Sequence, residues 1–330
     1  MKRILLLSYF IFLLIFRCFA QSEENKIIYN CSDIIDQHYL SLPSTNIFYY
    51  EEVKGLKNKD SIYYLVINYK ECAEKDYYNE LKEFKNIEIV SLVGNFKSIP
   101  KQLFFMKKIQ RLNISFNNSG CFDVIFKEAS KFSNLKTIRI SYSFIGIFPE
   151  SIKYLKKIEN FHVQNSDING FGNHFIELTN LKTLLINNCG LYYLPDDYTN
   201  PNLTCLDISS NQFDDLPEEI LKFENLEIFR YFYNYSSIKS LNYFCALKKL
   251  KYLYLGALGV ESIPDELLCI EDLELLFLSN TICNVDNIIH FSGLKAIHVP
   301  NYVGDYSKLR DIRKQTKTKI FLFPDPKIKQ

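Results

Sequence analysis

From Ile62 onward the chain repeats itself. Aliphatic residues stand at Ile62, Ile87, Ile109, Leu135, Ile158, Leu181, Leu203, Leu226, Leu250, Leu273 and Leu294, at spacings of 21 to 26 residues. The fourth position of each unit holds Leu65, Val90, Leu112, Ile138, Phe161, Leu184, Leu206, Phe229, Leu253, Leu276 or Ile297. The sixth holds Ile67, Leu92, Ile114, Ile140, Val163, Ile186, Ile208, Tyr231, Leu255, Leu278 or Val299. All 33 positions are apolar. A unit this short cannot bury its apolar residues alone; it does so by stacking on copies of itself, so the chain should form a solenoid whose core extends along its axis.

The spacing within a unit sets its local structure. Apolar residues at positions four and six, with others between them, make a period-two strand with one face inward. At position nine, Asn95, Asn117, Asn211 and Asn234 can hydrogen-bond backbone groups that the following turn leaves unpaired. Cys189 stands there in another unit, and Lys70, Ser143, Ser166, Leu258, Thr281 and Tyr302 depart from the pattern, which predicts a locally irregular ladder. The pairs Ile99-Pro100, Phe148-Pro149, Leu194-Pro195, Leu216-Pro217 and Ile263-Pro264 then bury one residue and turn the chain into a short helical or 3₁₀ return.

Leu203, Leu206, Ile208, Asn211, Phe213, Leu216 and Pro217 spell L-x-x-L-x-L-x-x-N-x-L-x-x-L-P. The chain thereby resembles the leucine-rich-repeat superfamily in its roughly 23-residue form, over about Ile62 to Tyr302. The resemblance implies an α/β solenoid: a horseshoe with a concave parallel β-sheet and short helical or 3₁₀ convex returns. It also implies that outward residues at positions three, five, seven and eight contact a protein partner.

Flanking segments complete the expected organisation. Lys2 and Arg3, the apolar run from Ile4 to Phe16 and the small residues at Cys18 and Ala20 read as a secretory signal peptide over residues 1–20, cleaved near Ala20. The run is too short for the ~20 apolar residues of a bilayer span, so no stable membrane insertion is expected. Residues 21–61 read as an N-terminal cap, 62–302 as the solenoid of about eleven units, and 303–330 as a C-terminal cap with a helix over Tyr306 to Thr316 and a last strand from Ile320 to Phe323. Localisation is then secreted or periplasmic. The Ala20-Gln21 junction and the composition rich in Lys, Asn, Ile, Tyr and Phe are similar to secreted proteins of Bacteroidota, a bacterial type.

Little in the sequence points to chemistry. Without the leader the chain carries 36 basic and 38 acidic residues, interspersed, with no basic stripe to neutralise a phosphate backbone, so nucleic acid is not an expected partner. The five histidines include His162 and His298 on outward strand positions six coils apart, about 30 Å at strand spacing, too far to share a metal. No zinc-ligand spacing, nucleophile elbow or phosphate-cradling glycine loop occurs, so no metal, no cofactor and no enzymatic activity are expected. Asn30, Asn113, Asn117, Asn202 and Asn234 head Asn-x-Ser/Thr triplets, and the abundance of these residue types accounts for them. Among the eight cysteines outside the leader, Cys245 and Cys269 are each twentieth in adjacent units, one coil apart and within disulfide reach, whereas Cys31 with Cys72 is a weaker pairing. Cys72 and Cys283 fall at the buried eleventh position.

Binding is expected on the outward strand positions. Ile228, Arg230, Phe232, Tyr233, Tyr252, Tyr254, Leu275 and Phe277 should gather on one exposed face, an arrangement of aromatic residues and Arg typical of binding hot spots. Earlier units place Arg139, Asn160, His162, Gln164, Asn187 and Asn188 there, a polar surface suited to a peptide or glycan. A protein partner is the leading expectation. A structural, self-associating envelope protein, forming homo-oligomers through the aromatic patch, is the alternative, and a glycan binder stands behind both.

Overall fold

The computed structural model describes residues 47–70, 77–118, 120–234, 238, 241–256, 262–279, 282–299, 301–302 and 306–322. All belong to one compact unit spanning Leu42–Gln330. The leader, Cys31 and Cys72 lie outside the described residues, as does most of the expected N-terminal cap.

Thirteen strands form one parallel sheet. In order they are β1 (Ile47–Tyr49), β2 (Tyr64–Asn68), β3 (Ile89–Val93), β4 (Arg111–Ser115), β5 (Thr137–Ser141), β7 (Asn160–Gln164), β9 (Thr183–Asn187), β10 (Cys205–Asp207), β11 (Ile228–Tyr231), β12 (Tyr252–Gly256), β13 (Leu275–Ser279), β15 (Ala296–Val299) and β17 (Lys319–Leu322). Each strand pairs with the strand of the next coil, and the register sets equivalent template positions side by side: Leu206 faces Phe229, which faces no residue of another type of position but Leu253. Two minor parallel pairs, β6 (Phe144–Ile147) with β8 (Asp167–Gly170) and β14 (Ile282–Cys283) with β16 (Asn301–Tyr302), lie beyond the main strands.

Most returns are single 3₁₀ segments. Glu218–Lys222 and Asp265–Cys269 each follow a proline that occupies the cap position, because its fixed φ suits the turn and it has no N–H to leave unpaired. The longest unit differs, with a full α-helix, Phe122–Ala129, burying Phe122, Ile125, Phe126 and Ala129. Short helices also occur at Tyr50–Val53 and Tyr306–Gln315. Among the described residues no helix is long and apolar enough to cross a membrane.

Positions four and six from every unit join one continuous core with the aliphatic starts and the return residues. Position nine supplies its polar seam, and at Ser143 and Ser166 the structure corrects the expected irregularity, whereas Leu258 and Thr281 lie outside the described residues. The Asn117 N–H donates to Ser143 Oγ at 3.0 Å, and the Ser143 N–H to Ser166 Oγ at 3.2 Å. The Ser166 N–H reaches the Cys189 sulfur, the Cys189 N–H donates to Asn211 Oδ1 at 3.0 Å, and the Asn211 N–H to Asn234 Oδ1 at 3.2 Å. Six units thus form an unbroken file. Serine serves because its hydroxyl accepts from the preceding coil while donating to a carbonyl two residues back: Ser143 to Ser141 O, Ser166 to Gln164 O. Cys189 does the same with its thiol, which donates to Asn187 O and is pushed up to about 12 by burial. Asn117 is wholly buried, with its amide on Phe96 O.

Candidate recognition surface

The sheet face turned away from the core is built from positions three, five and seven. Apolar residues there, Val66, Ile89, Leu185, Cys205, Ile228, Phe232, Tyr254, Leu275, Phe277 and Ala296, are buried yet belong to no part of the continuous core. In-register pairing lines up Asp207, Arg230, Tyr254, Phe277 and His298. Arg230 lies 3.3 Å from the Asp207 carboxylate, and its guanidinium carbon is 4.7 Å from the Tyr254 ring centroid and 5.1 Å from that of Phe232. Tyr254 packs on Phe277 at 5.6 Å, and Phe277 stacks on His298 at 4.4 Å with the planes 7° apart. Burial in this stack depresses His298 to about 4.

This geometry corrects the expectation of an exposed aromatic patch. Ile228, Arg230, Phe232, Tyr254 and Phe277 share the face but are buried, Tyr254 completely. Along the sheet, the Arg230 guanidinium packs on the Phe232 and Tyr254 rings, and Tyr254 packs on Phe277. Tyr233 and Tyr252 are half-buried, with their phenols raised by desolvation and, for Tyr252, by the nearby Glu274 carboxylate.

The earlier units carry a polar network on the same face. Asn113 donates through Nδ2 to Ser91 Oγ at 2.8 Å and to Tyr64 Oη at 3.3 Å, and accepts from Arg111 Nε at 3.0 Å. Arg139 Nε donates to His162 Nδ1 at 3.0 Å, so the neutral ring carries its proton on Nε2. That Nε2 is buried without a partner, and burial with the Arg139 and Arg111 charges holds His162 well below its usual range. His162 is therefore a neutral ring in a buried site, not the surface residue its position suggested; Arg139 is half-buried.

Exposure is found instead at position eight, just past the strand ends. Phe116, Tyr142, Asn165, Asn188, Ser210 and Tyr233 all have left-handed backbone, with φ from 49° to 58°. Each of the first five N–H groups donates to the position-seven carbonyl of the next coil: Phe116 to Ser141, Tyr142 to Gln164, Asn165 to Asn187, Asn188 to Ser209 and Ser210 to Phe232. Left-handed φ explains Asn and Ser here, but it is disfavoured for bulky side chains, so Phe116, Tyr142 and Tyr233 run against local preference. Phe116 and Tyr142 are 54% and 45% exposed and stack at 5.1 Å with planes 9° apart. Position eight was among the outward positions expected to make contact, but Phe116 and Tyr142 were not singled out; aromatic residues at a position that elsewhere takes Gly94, Asn165 or Asn188 are the signal that would have found them.

Cys245 and Cys269 are joined, with S–S 1.98 Å and Cα–Cα 5.2 Å, linking the backs of adjacent coils. Among the described residues no group of three or more His, Cys, Asp or Glu side chains is placed to hold a metal ion.

No family model matches the chain. Over 229 residues, 67% of its length, it is 28% identical to an adenylate cyclase of Schizosaccharomyces pombe, and the match spans 13% of that protein. Among solved structures it is similar to Toll, in the Toll–Spatzle complex of Drosophila, at 17% identity and a TM-score of 0.56, covering 80% of this chain and 41% of that one. It is also similar to a leucine-rich-repeat protein of Leptospira interrogans, at 17% identity and a TM-score of 0.38, covering 83% of this chain and 99% of that one. With eleven recurring units, in-register parallel strands and an inward file of Asn, Ser and Cys side chains, the chain has the fold of a leucine-rich-repeat solenoid.

Proposed function

We propose that this chain is a secreted, non-catalytic recognition protein that holds a protein partner against the open strand face. The observation that carries the reading is the second side-chain layer on that face, which joins no part of the solenoid core and changes from polar to aromatic along the axis. Recognition is the role we assign to a layer that the stacking of coils does not require. Half-buried Arg139, Tyr233 and Tyr252 are its points of contact with solvent, and Ile228, Arg230, Phe232, Tyr254, Phe277 and His162 brace them from within the layer. Toll, with a similar fold, is recorded in complex with Spatzle, which makes a protein the first class of partner to test. The match to an adenylate cyclase spans 13% of that protein, so it favours no catalytic reading.

The test is cross-linking capture from the source organism's surroundings with the whole chain and with a Tyr233→Ala/Tyr252→Ala variant whose circular dichroism is unchanged. Capture of a protein by the first and its loss in the second supports the reading. Equal capture by both rejects this face. The self-associating alternative is separated by sedimentation at increasing concentration: dimers that the same variant abolishes would make the partner a second copy.

A further inference from the structure

We infer that the edge of the sheet past the strand ends, in units three to six, is a binding strip for a neutral oligosaccharide. Phe116, stacked on Tyr142 with its outer face toward Gly94, is its stacking end, and Asn165 and Asn188 its hydrogen-bonding end. The strip borders the open face but uses Phe116 and Tyr142, which that reading does not, so it does not depend on it.

Three observations converge on the strip. First, the rings are held ready. The two planes lie 9° apart, both rings are about half exposed, and their backbone is fixed by the file of N–H donations from each position eight to the next coil. The equivalent position in the preceding coil is Gly94, which has no side chain to set against the Phe116 ring. A solvated pair of bulky rings in left-handed backbone contributes little to the core and is disfavoured locally, and such exceptions concentrate at binding sites.

Second, the strip continues as amides. Asn188 Nδ2 donates to Asn165 Oδ1 at 2.8 Å at the surface, which fixes both side chains. An amide pair one coil apart carries both donors and acceptors and matches the hydroxyls of a sugar, each of which donates and accepts. Gln164 is exposed beside them.

Third, positions seven and eight from Val93 to Ser210 hold Val, Gly, Ser, Phe, Tyr, Gln and Asn and no charged residue, in a chain that is 23% charged. An acidic or basic ligand would find no counter-charge along this row. A hydrophobic protein surface would leave the amides unpaired, which costs affinity. A sugar chain satisfies both halves, setting a C–H face on the outer side of the ring pair and hydroxyls on the amides. Phe116 to Asn188 spans three coil intervals, about 14 Å at parallel-strand spacing, which suits a short oligosaccharide over a single ring.

The experiment is calorimetric titration of the whole chain with cellohexaose, chitohexaose and mannohexaose, and with hexagalacturonate as the charged counterpart. The variant is Phe116→Asn/Tyr142→Asn, since Asn accepts left-handed backbone and keeps the fold, as circular dichroism verifies. Binding of at least one neutral hexasaccharide, weakened about tenfold or more in this variant, is the expected result. The Tyr233→Ala/Tyr252→Ala variant should bind the sugar as the parent does, so failure here is distinguishable from failure of the open-face reading. No binding by any neutral hexasaccharide, binding that survives the double substitution, or tighter binding of hexagalacturonate each overturns the inference. Capture of a protein that depends on Phe116 and Tyr142 overturns it as well.

Discussion

Replacing Asn211 with Ala should be among the most damaging single changes in the solenoid. Its Nδ2 donates to Ile186 O at 2.6 Å, Ile208 O at 2.9 Å and Ser209 O at 3.1 Å, while its Oδ1 accepts from the N–H groups of Cys189 at 3.0 Å and Leu191 at 3.2 Å. The side chain is buried, so water cannot replace it. Two stranded N–H donors at about 1–3 kcal/mol each, with smaller costs for the carbonyls, give roughly 3–5 kcal/mol of destabilisation. Asn202, whose amide makes one bond to Thr179 O at the surface, provides the contrast: Asn202→Ala should cost under about 1 kcal/mol. Urea unfolding followed by circular dichroism and by tyrosine fluorescence measures both, the two probes showing whether one transition describes the chain. Hydrogen exchange at the Cys189 and Leu191 amides reads the same bonds locally. A loss below about 1 kcal/mol in Asn211→Ala, or unchanged protection at those amides, would refute the claim that this seam carries the turns.

Two further outcomes concern His298 and the Cys245–Cys269 bond. His298 has a folded pKa of about 4 against 6.5 for the free side chain, so the unfolded chain takes up a proton that the native state resists. The resulting stability is intact above pH 6.5 and is lost as pH falls from there toward 4, by about 2–3 kcal/mol for this residue. The difference between parent and His298→Gln in urea midpoints across pH 4 to 8 isolates it, and a pH-independent difference would show that the ring is not buried. Reducing the Cys245–Cys269 bond, which closes a sequence separation of 24 residues, should cost about 3 kcal/mol; an unchanged urea midpoint for Cys245→Ser/Cys269→Ser would show that neighbouring coils already hold that loop closed.

How far the sequence spoke for the structure depended on which neighbour a residue answers to. Leu206 and Ile208 answer to the period within their own unit, so the strands and the inward face were legible at once. Ser143 and Ser166 did not fit the Asn pattern, yet their hydroxyls perform the same exchange across coils, because the turn asks for an acceptor at that point and not for an amide. The face outside the core was harder. Alternation places Tyr254 and Phe277 outward, but whether an outward residue meets water depends on what register sets beside it, and here that is Arg230 on one side and His298 on the other. Phe116 and Tyr142 were least legible: the handedness at position eight belongs to the backbone, and only the Gly94, Asn165 and Asn188 of other coils mark it.

The file from Asn117 to Asn234 also bears on how such a chain can change length over generations. Every joint in it is the same: a position-nine N–H of one coil meets an accepting atom at position nine of the next, and amide, hydroxyl and sulfur all serve. Removing or duplicating one whole coil leaves each surviving joint with a donor and an acceptor, whereas gaining or losing part of a coil breaks the joint where it occurs. The molecule is thus built to grow and shrink by whole turns, and a surface strip such as Phe116 to Asn188 can be lengthened, shortened or moved along the axis without redesign of what lies beneath it.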